Sequence, residues 1–100
     1  MTTPEGRIEK HLVDRVRETN GQVRKLKWIG RNGAPDRMIW WQIHPNFSAD
    51  IYFVELKRPK GKASRQQAEE HDKMRRSGLH VFVLDTIEKI DAFVKANSYR

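Results

Sequence analysis

Two short β-rich runs, Ile51-Tyr52-Phe53-Val54-Glu55-Leu56-Lys57 and His80-Val81-Phe82-Val83-Leu84, flank a polar segment from Ser64 to Ser77 that Gly78 ends. Strand, helix and strand in that order make a crossover, which joins parallel neighbours and requires a sheet with a helix laid across it. The second run is almost wholly apolar and predicts a strand buried on both faces. A chain of 100 residues holds one domain, so the other elements must complete the same sheet and core.

Upstream, Ile8, Leu12, Val13 and Val16 recur at helical spacing from Pro4 to about Asn20, with proline suited to a first turn after a threonine cap. Val23 to Ile29 reads as a basic strand, followed by the punctuated loop Gly30-Arg31-Asn32-Gly33-Ala34-Pro35. Arg37 to Ile43 is a further strand, joined to the Ile51 run by a hairpin connection over His44 to Asp50. Asp85-Thr86-Ile87-Glu88 has a capping-box pattern, and Ile87, Ile90, Phe93 and Val94 form the apolar stripe of a last helix. The expected order is α-β-β-β-α-β-α, an α/β sandwich with a mixed sheet flanked by helices.

Composition bounds the function. The chain is 37% hydrophobic and 33% charged, with a formal net charge of +7, enough apolar content for a core and a cationic excess suited to a polyanionic partner, nucleic acid first. Without cysteine it has neither a disulfide scaffold nor a thiolate zinc site, and a reducing cytoplasm suits it. No apolar stretch approaches the roughly 18 residues of a membrane span, and the first residues lack the apolar segment of a signal peptide, so a cytoplasmic location without membrane contact is expected. A small domain covers its apolar surface incompletely, which favours a homo-oligomer.

The chemistry concentrates in a few acids. Along the Ile51 run the period of two puts Ile51, Phe53, Glu55 and Lys57 on one face and Tyr52, Val54 and Leu56 on the other. A carboxylate among apolar neighbours is unfavourable unless paired or metal-bound, and a salt bridge to Lys57 competes with metal binding as the explanation. If the hairpin is symmetric about its connection, Asp36 falls opposite Lys57 and diagonal to Glu55, within roughly 8 Å at the backbone. Two carboxylates, a backbone carbonyl such as that of Leu56 and several waters suit octahedral Mg²⁺ or Mn²⁺, although Asp36 alone also fits a turn after proline. Glu9 falls inside the apolar arc of the first helix and needs a partner, either a metal-held water or a base such as Lys57.

On the second helix Gln67, His71 and Met74 share a face. Gln67 also completes a capping box with Ser64, and both readings stay open; His71 reads as a helix-face residue rather than a sole ligand or general base. Arg24, Lys25, Lys27 and Arg31 form one acid-free basic segment, and Lys57, Arg58, Lys60, Lys62 and Arg65 follow the acidic strand. Basic runs on either side of a carboxylate pair outline a groove for a phosphate backbone. Trp28, Trp40 and Trp41 fit core or dimer packing better than base stacking.

Taken together, the helix glutamate Glu9, Gly33-Ala34-Pro35-Asp36, Glu55-Leu56-Lys57 and Gly61 with Ser64 to Gln67 resemble the PD-(D/E)xK nuclease superfamily, and within it a stand-alone VRR-NUC (virus-type replication-repair nuclease) domain. The resemblance runs from Glu9 to about Asp85 and implies a restriction-endonuclease-like core. It implies Asp36 and Glu55 as metal ligands with the Leu56 carbonyl as a third, and Glu9 holding a metal-bound water. Lys57 would orient or deprotonate the attacking water, supported by Gln67 or the adjacent Gln66. Arg31, Arg37, Arg58, Lys60, Lys62 and Arg65 would contact DNA. The implied activity is Mg²⁺- or Mn²⁺-dependent endonucleolytic hydrolysis of phosphodiester bonds. The implied partner is branched DNA of the Holliday junction type, cut by a homodimer in a bacterial or phage-infected cell. The competing readings are a non-catalytic basic DNA-binding module, which would need no buried acids, and a nuclease subunit acting on linear duplex.

Overall fold

A computed structural model describes residues 3–42 and 48–98. Ile43, the expected last residue of a strand, and 44–47 of the expected hairpin connection lie outside the described residues. The elements are α1 (Pro4–Glu18), β1 (Gly21–Lys25), β2 (Arg37–Trp41), β3 (Ile51–Leu56), α2 (Arg65–Arg76), β4 (His80–Leu84) and α3 (Ile87–Asn97). The expected order α-β-β-β-α-β-α is therefore the observed one. The four strands form one mixed sheet in the order β1-β2-β3-β4, antiparallel except for β3 and β4, which run parallel across the α2 crossover.

Each helix starts where its sequence supplies a cap. The Thr3 side chain accepts a bond from Gly6 N, and Pro4 occupies the first turn, where its missing N–H costs nothing. At the far end Asn20 turns with φ 64°. Gly21 then enters β1 where a Cβ would stand 2.6 Å from the Trp41 indole nitrogen and from Val16, so any side chain there would displace the core.

For α3 the cap is Thr86, whose Oγ1 accepts from Lys89 N at 3.1 Å. The expected box beginning at Asp85 does not form, because Asp85 instead pairs with Lys89 at 2.8 Å. The first basic strand also differs from expectation. It covers Gly21–Lys25 rather than Val23 to Ile29, and the chain leaves the sheet at Leu26, whose N–H bonds the Asp36 carbonyl at 2.9 Å.

One apolar core forms where α1 and α3 cover a face of the sheet. Ile8, Leu12 and Val16 from α1 meet Ile39, Trp41, Tyr52, Val54 and Leu56 from the strands and Ile90, Phe93 and Val94 from α3. Helix α2 packs against β4 and buries His71 and Met74. As expected β4 is covered on both faces, with Val81 buried on one and Leu84 on the other, although it is the outer strand and Phe82 and Val83 are only half-buried. Its apolar run came from bordering two helices at the sheet edge rather than from a central place. Among the described residues no helix is long and apolar enough to cross a membrane.

Candidate active site

Strand order brings the two acids to one end of the sheet. Arg37 pairs with Val54, Met38 with Phe53 and Ile39 with Tyr52, and one further step of this register sets Asp36 directly across from Glu55. The expected pairing of Asp36 with Lys57 is thus wrong by two residues, since the hairpin is not symmetric about its connection. The correction draws the carboxylates closer, from a diagonal to an opposed relation, and opposed positions are the nearest cross-strand neighbours.

The loop ahead of Asp36 is held firmly. Pro35 is fully buried, and its carbonyl accepts the Trp28 indole N–H at 2.7 Å. Gly33 has φ +85°, and a Cβ there would stand 2.9 Å from the Gln66 carbonyl oxygen on α2. Only glycine lets the loop lie this close to the helix. The Asp36 side chain then reaches β3, where Oδ1 accepts from Leu56 N at 3.4 Å.

Electrostatically the pair is held against its own ionisation. Glu55 is 5% exposed, and burial together with the Asp36 charge raises its pKa from 4.5 to about 7. Lys57 Nζ lies 3.8 Å from Glu55 Oε2, a contact too long to offset both effects. Burial raises the Asp36 pKa as well, opposed by the Arg37 charge. The buried Glu55 carboxyl and the part-exposed Asp36 carboxyl, side by side, are short of positive charge, and a hard divalent cation such as Mg²⁺ or Mn²⁺ fits that deficit and donor set. Among the described residues no group of three or more His, Cys, Asp and Glu side chains is placed to hold an ion. The protein could therefore supply two carboxylates and the Leu56 carbonyl, with water completing the shell.

Glu9 and Arg37 occupy the other side of Asp36. Arg37 is 5% exposed; it bonds Glu9 through Nη2 and approaches Asp36 Oδ2 at 3.3 Å through Nη1. Its expected place among DNA contacts is corrected by this burial, since its charge is consumed internally. The period of two could have revealed it, because Arg37, Ile39 and Trp41 alternate onto the core face of β2. Glu9 pairs with Arg37 rather than Lys57 and helps line a cleft with Lys25, Asp36 and Leu56.

Gln67 accepts the Ser64 N–H at 2.9 Å and completes the capping box. That bond engages its Oε1 in the helix cap. His71 is 1% exposed, and its Nε2 has no hydrogen-bond partner among the described residues. Burial and the Arg75 and Lys57 charges lower its pKa, keeping the imidazole neutral.

The basic rim divides into free and committed charges. Arg58, Lys60 and Lys62 are exposed on the segment after β3, where Gly61 N bonds the Arg58 carbonyl at 2.8 Å and Lys60 adopts φ 66°. A lysine in the left-handed region is strained relative to glycine, and such strain clusters at functional positions. Arg65 is exposed beside Glu69, at 3.1 Å. Arg31 is tied to Glu70 at 2.6 Å. Trp41 is core, as expected, while Trp40 lies under Arg24 at 5.0 Å.

Known proteins resemble this chain in sequence and fold. A solved structure described as "VRR_NUC domain" superposes with a TM-score of 0.80 at 36% identity, covering 94% of this chain and 97% of that one. A phage protein, "Putative nuclease p44" of Acyrthosiphon pisum secondary endosymbiont phage 1, is 42% identical over 82 residues, which are 82% of this chain and 83% of that protein. The chain belongs to the VRR-NUC family. No family model matches it. Membership accords with the mixed sheet and helix order of the VRR-NUC fold described above.

Proposed function

We propose that this VRR-NUC protein is a Mg²⁺- or Mn²⁺-dependent DNA endonuclease that hydrolyses phosphodiester bonds in branched DNA, acting as a homodimer in the cytoplasm of a bacterial or phage-infected cell. The opposed Asp36 and Glu55, beside Lys57 and flanked by exposed cations, carry this reading. Carboxylates repel a phosphate, so a site that sets two of them side by side within a basic rim makes chemical sense when a cation stands between. The nuclease name of the phage relative points the same way; branched DNA and a dimer rest on the resemblance of this chain to stand-alone members.

A bound divalent cation would polarise a phosphoryl oxygen and lower the pKa of a coordinated water. Asp36, Glu55 and the Leu56 carbonyl would hold it. Lys57 Nζ is placed beside Glu55, where it can orient the attacking water and donate to charge developing on the phosphate. Arg37 keeps Glu9 and Asp36 in fixed positions through its two ion pairs, and Glu9 would bond a water at the margin of the site. Gln67 would support the Lys57 side through its amide nitrogen.

Incubating the protein with labelled four-way junction and linear duplex, with Mg²⁺, Mn²⁺ or EDTA, tests the reading. Paired symmetric nicks in the junction that EDTA abolishes are expected. Cleavage of linear duplex alone would replace branched DNA as substrate, and tight binding without cutting under any metal would overturn the catalytic reading.

Lys60→Gly and Lys62→Ala probe the rim. Glycine accepts the left-handed backbone of position 60 without strain, so Lys60→Gly removes a charge while keeping the turn. Each substitution is expected to weaken DNA binding and lower the slope of log affinity against log salt by about one charge. An unchanged slope, read by fluorescence anisotropy, would place that lysine outside the DNA path.

A further inference from the structure

The loop between β1 and β2 leaves an apolar side chain almost wholly in water at the end of the sheet that carries the acids. Because β1 and β2 are antiparallel, as are β2 and β3, the end of β1, the start of β2 and the end of β3 lie together. Residues 26–36 therefore emerge at the same end of the sheet as Asp36 and Glu55. The loop is braced throughout. Leu26 N bonds the Asp36 carbonyl at 2.9 Å, Trp28 bonds Pro35 and tilts its ring against Phe53 at 6.1 Å, and Arg31 bonds Glu70 of α2 through both Nε and Nη2.

Between these braces Ile29 is 93% exposed, the most exposed of the large apolar residues that are exposed. Gly30 follows with φ +74° and open space where a Cβ would be. An exposed isoleucine on a mobile loop would need no explanation. Here the loop is anchored on both sides, its neighbours Lys27 and Arg31 are cationic and exposed, and its base is the segment that carries Asp36. A rigid apolar tip flanked by positive charge is the arrangement proteins use to pry apart stacked bases while gripping the adjacent phosphates.

We propose that Ile29 is a wedge that enters a base step of DNA held at the Asp36 and Glu55 site and unstacks it next to the scissile phosphate. The proposal rests on the nuclease reading above for the identity of the ligand as DNA. Lys27 contacts a phosphate beside the opened step, and the Trp28 and Arg31 braces transmit the grip to the sheet and to α2. DNA whose stacking is already broken, at a branch, nick or mismatch, is then the easier substrate, because less stacking has to be given up.

Unstacking is read directly with 2-aminopurine, placed in turn at each step of the bound segment. To prevent cutting, Glu55→Gln protein is compared with the same protein carrying Ile29→Ser or Ile29→Leu. A fluorescence rise at one step is expected, largely kept by Ile29→Leu and lost in Ile29→Ser while phosphate-driven binding remains. Cleavage by otherwise wild-type protein carrying Ile29→Ser should fall roughly tenfold or more on substrate paired at that step, and recover when a mismatch opens it beforehand.

The outcomes separate the two readings. An Ile29-dependent fluorescence rise without cutting by the wild-type protein would keep the wedge and remove the nuclease. Cutting that Ile29→Ser leaves unchanged on the paired substrate, or a rise that Ile29→Ser does not diminish, would overturn the wedge. So would a change in oligomeric state on Ile29→Ser, measured by sedimentation, because the tip would then be a contact between copies of the chain.

Discussion

Glu55→Gln is expected to melt at a higher temperature than the wild-type protein at pH 8 without metal, and to have lost metal-dependent DNA cleavage. Burial and the Asp36 charge raise the pKa of Glu55 to about 7 against an ordinary 4.5. Raising an acid in the folded state means that its anion destabilises the fold. Below pH 4.5 Glu55 is protonated whether folded or not, and its favourable folded environment counts in full. As pH rises through 4.5 toward 7 the unfolded chain releases the proton first, and stability falls; above 7 the whole penalty is present.

Glutamine is neutral at every pH and nearly isosteric, so it escapes that penalty. The difference in melting temperature between variant and wild type should be large at pH 8 and shrink toward zero at pH 4.5. Mg²⁺ or Mn²⁺ should stabilise the wild type and leave the variant unmoved, since a cation that binds only the folded state raises stability by mass action. Scanning calorimetry across pH, with and without metal, checks both. A variant less stable than wild type at pH 8 would mean that Glu55 serves the fold through its contact with Lys57. Stability given up for a buried anion is the mark of a functional group.

Lys57→Ala is expected to reduce cleavage by about 100-fold to 10,000-fold, the range associated with a positioned proton-transfer or charge-stabilising group. DNA binding should weaken by no more than one phosphate contact. Lys57 also lowers the pKa of Glu55 through its charge and hydrogen bond, so its removal should push the carboxyl further up and move metal binding to higher pH. Isothermal titration with Mn²⁺ at several pH values reads that shift apart from any loss of chemistry. Lys57→Arg should not restore the rate, because the planar guanidinium cannot replace a compact ammonium beside Glu55. Full activity in Lys57→Ala would remove the residue from the site.

Much of the fold was legible because its signals are local. The Thr3 and Ser64 caps, the glycine at 78 and the two runs around α2 are short-range patterns, and the helices and strands formed where those patterns stand. The crossover was legible too, since strand, helix and strand leave one favoured hand and a parallel pair. Failures came where two local signals competed. Asp85 and Thr86 are both good caps, and the ion pair of Asp85 with Lys89 leaves the cap to Thr86. Val23 to Ile29 has strand-forming residues at both ends, but the bonds from Leu26 to Asp36 and from Trp28 to Pro35 pull its second half into the loop.

By itself the sequence determined which residues are candidates for the chemistry: an acid after a proline, an acid and a lysine sharing one face of a strand, and a basic segment after them. Period-two alternation and residue chemistry need no knowledge of distant partners. Only the tertiary structure decided how those groups meet. The register that sets Asp36 across from Glu55, the Glu9 and Arg37 pair, the neutral His71 and the braced exposure of Ile29 all depend on contacts between elements far apart in the chain. Their energies come from burial and from charges brought side by side, and neither exists until the sheet has closed against its helices.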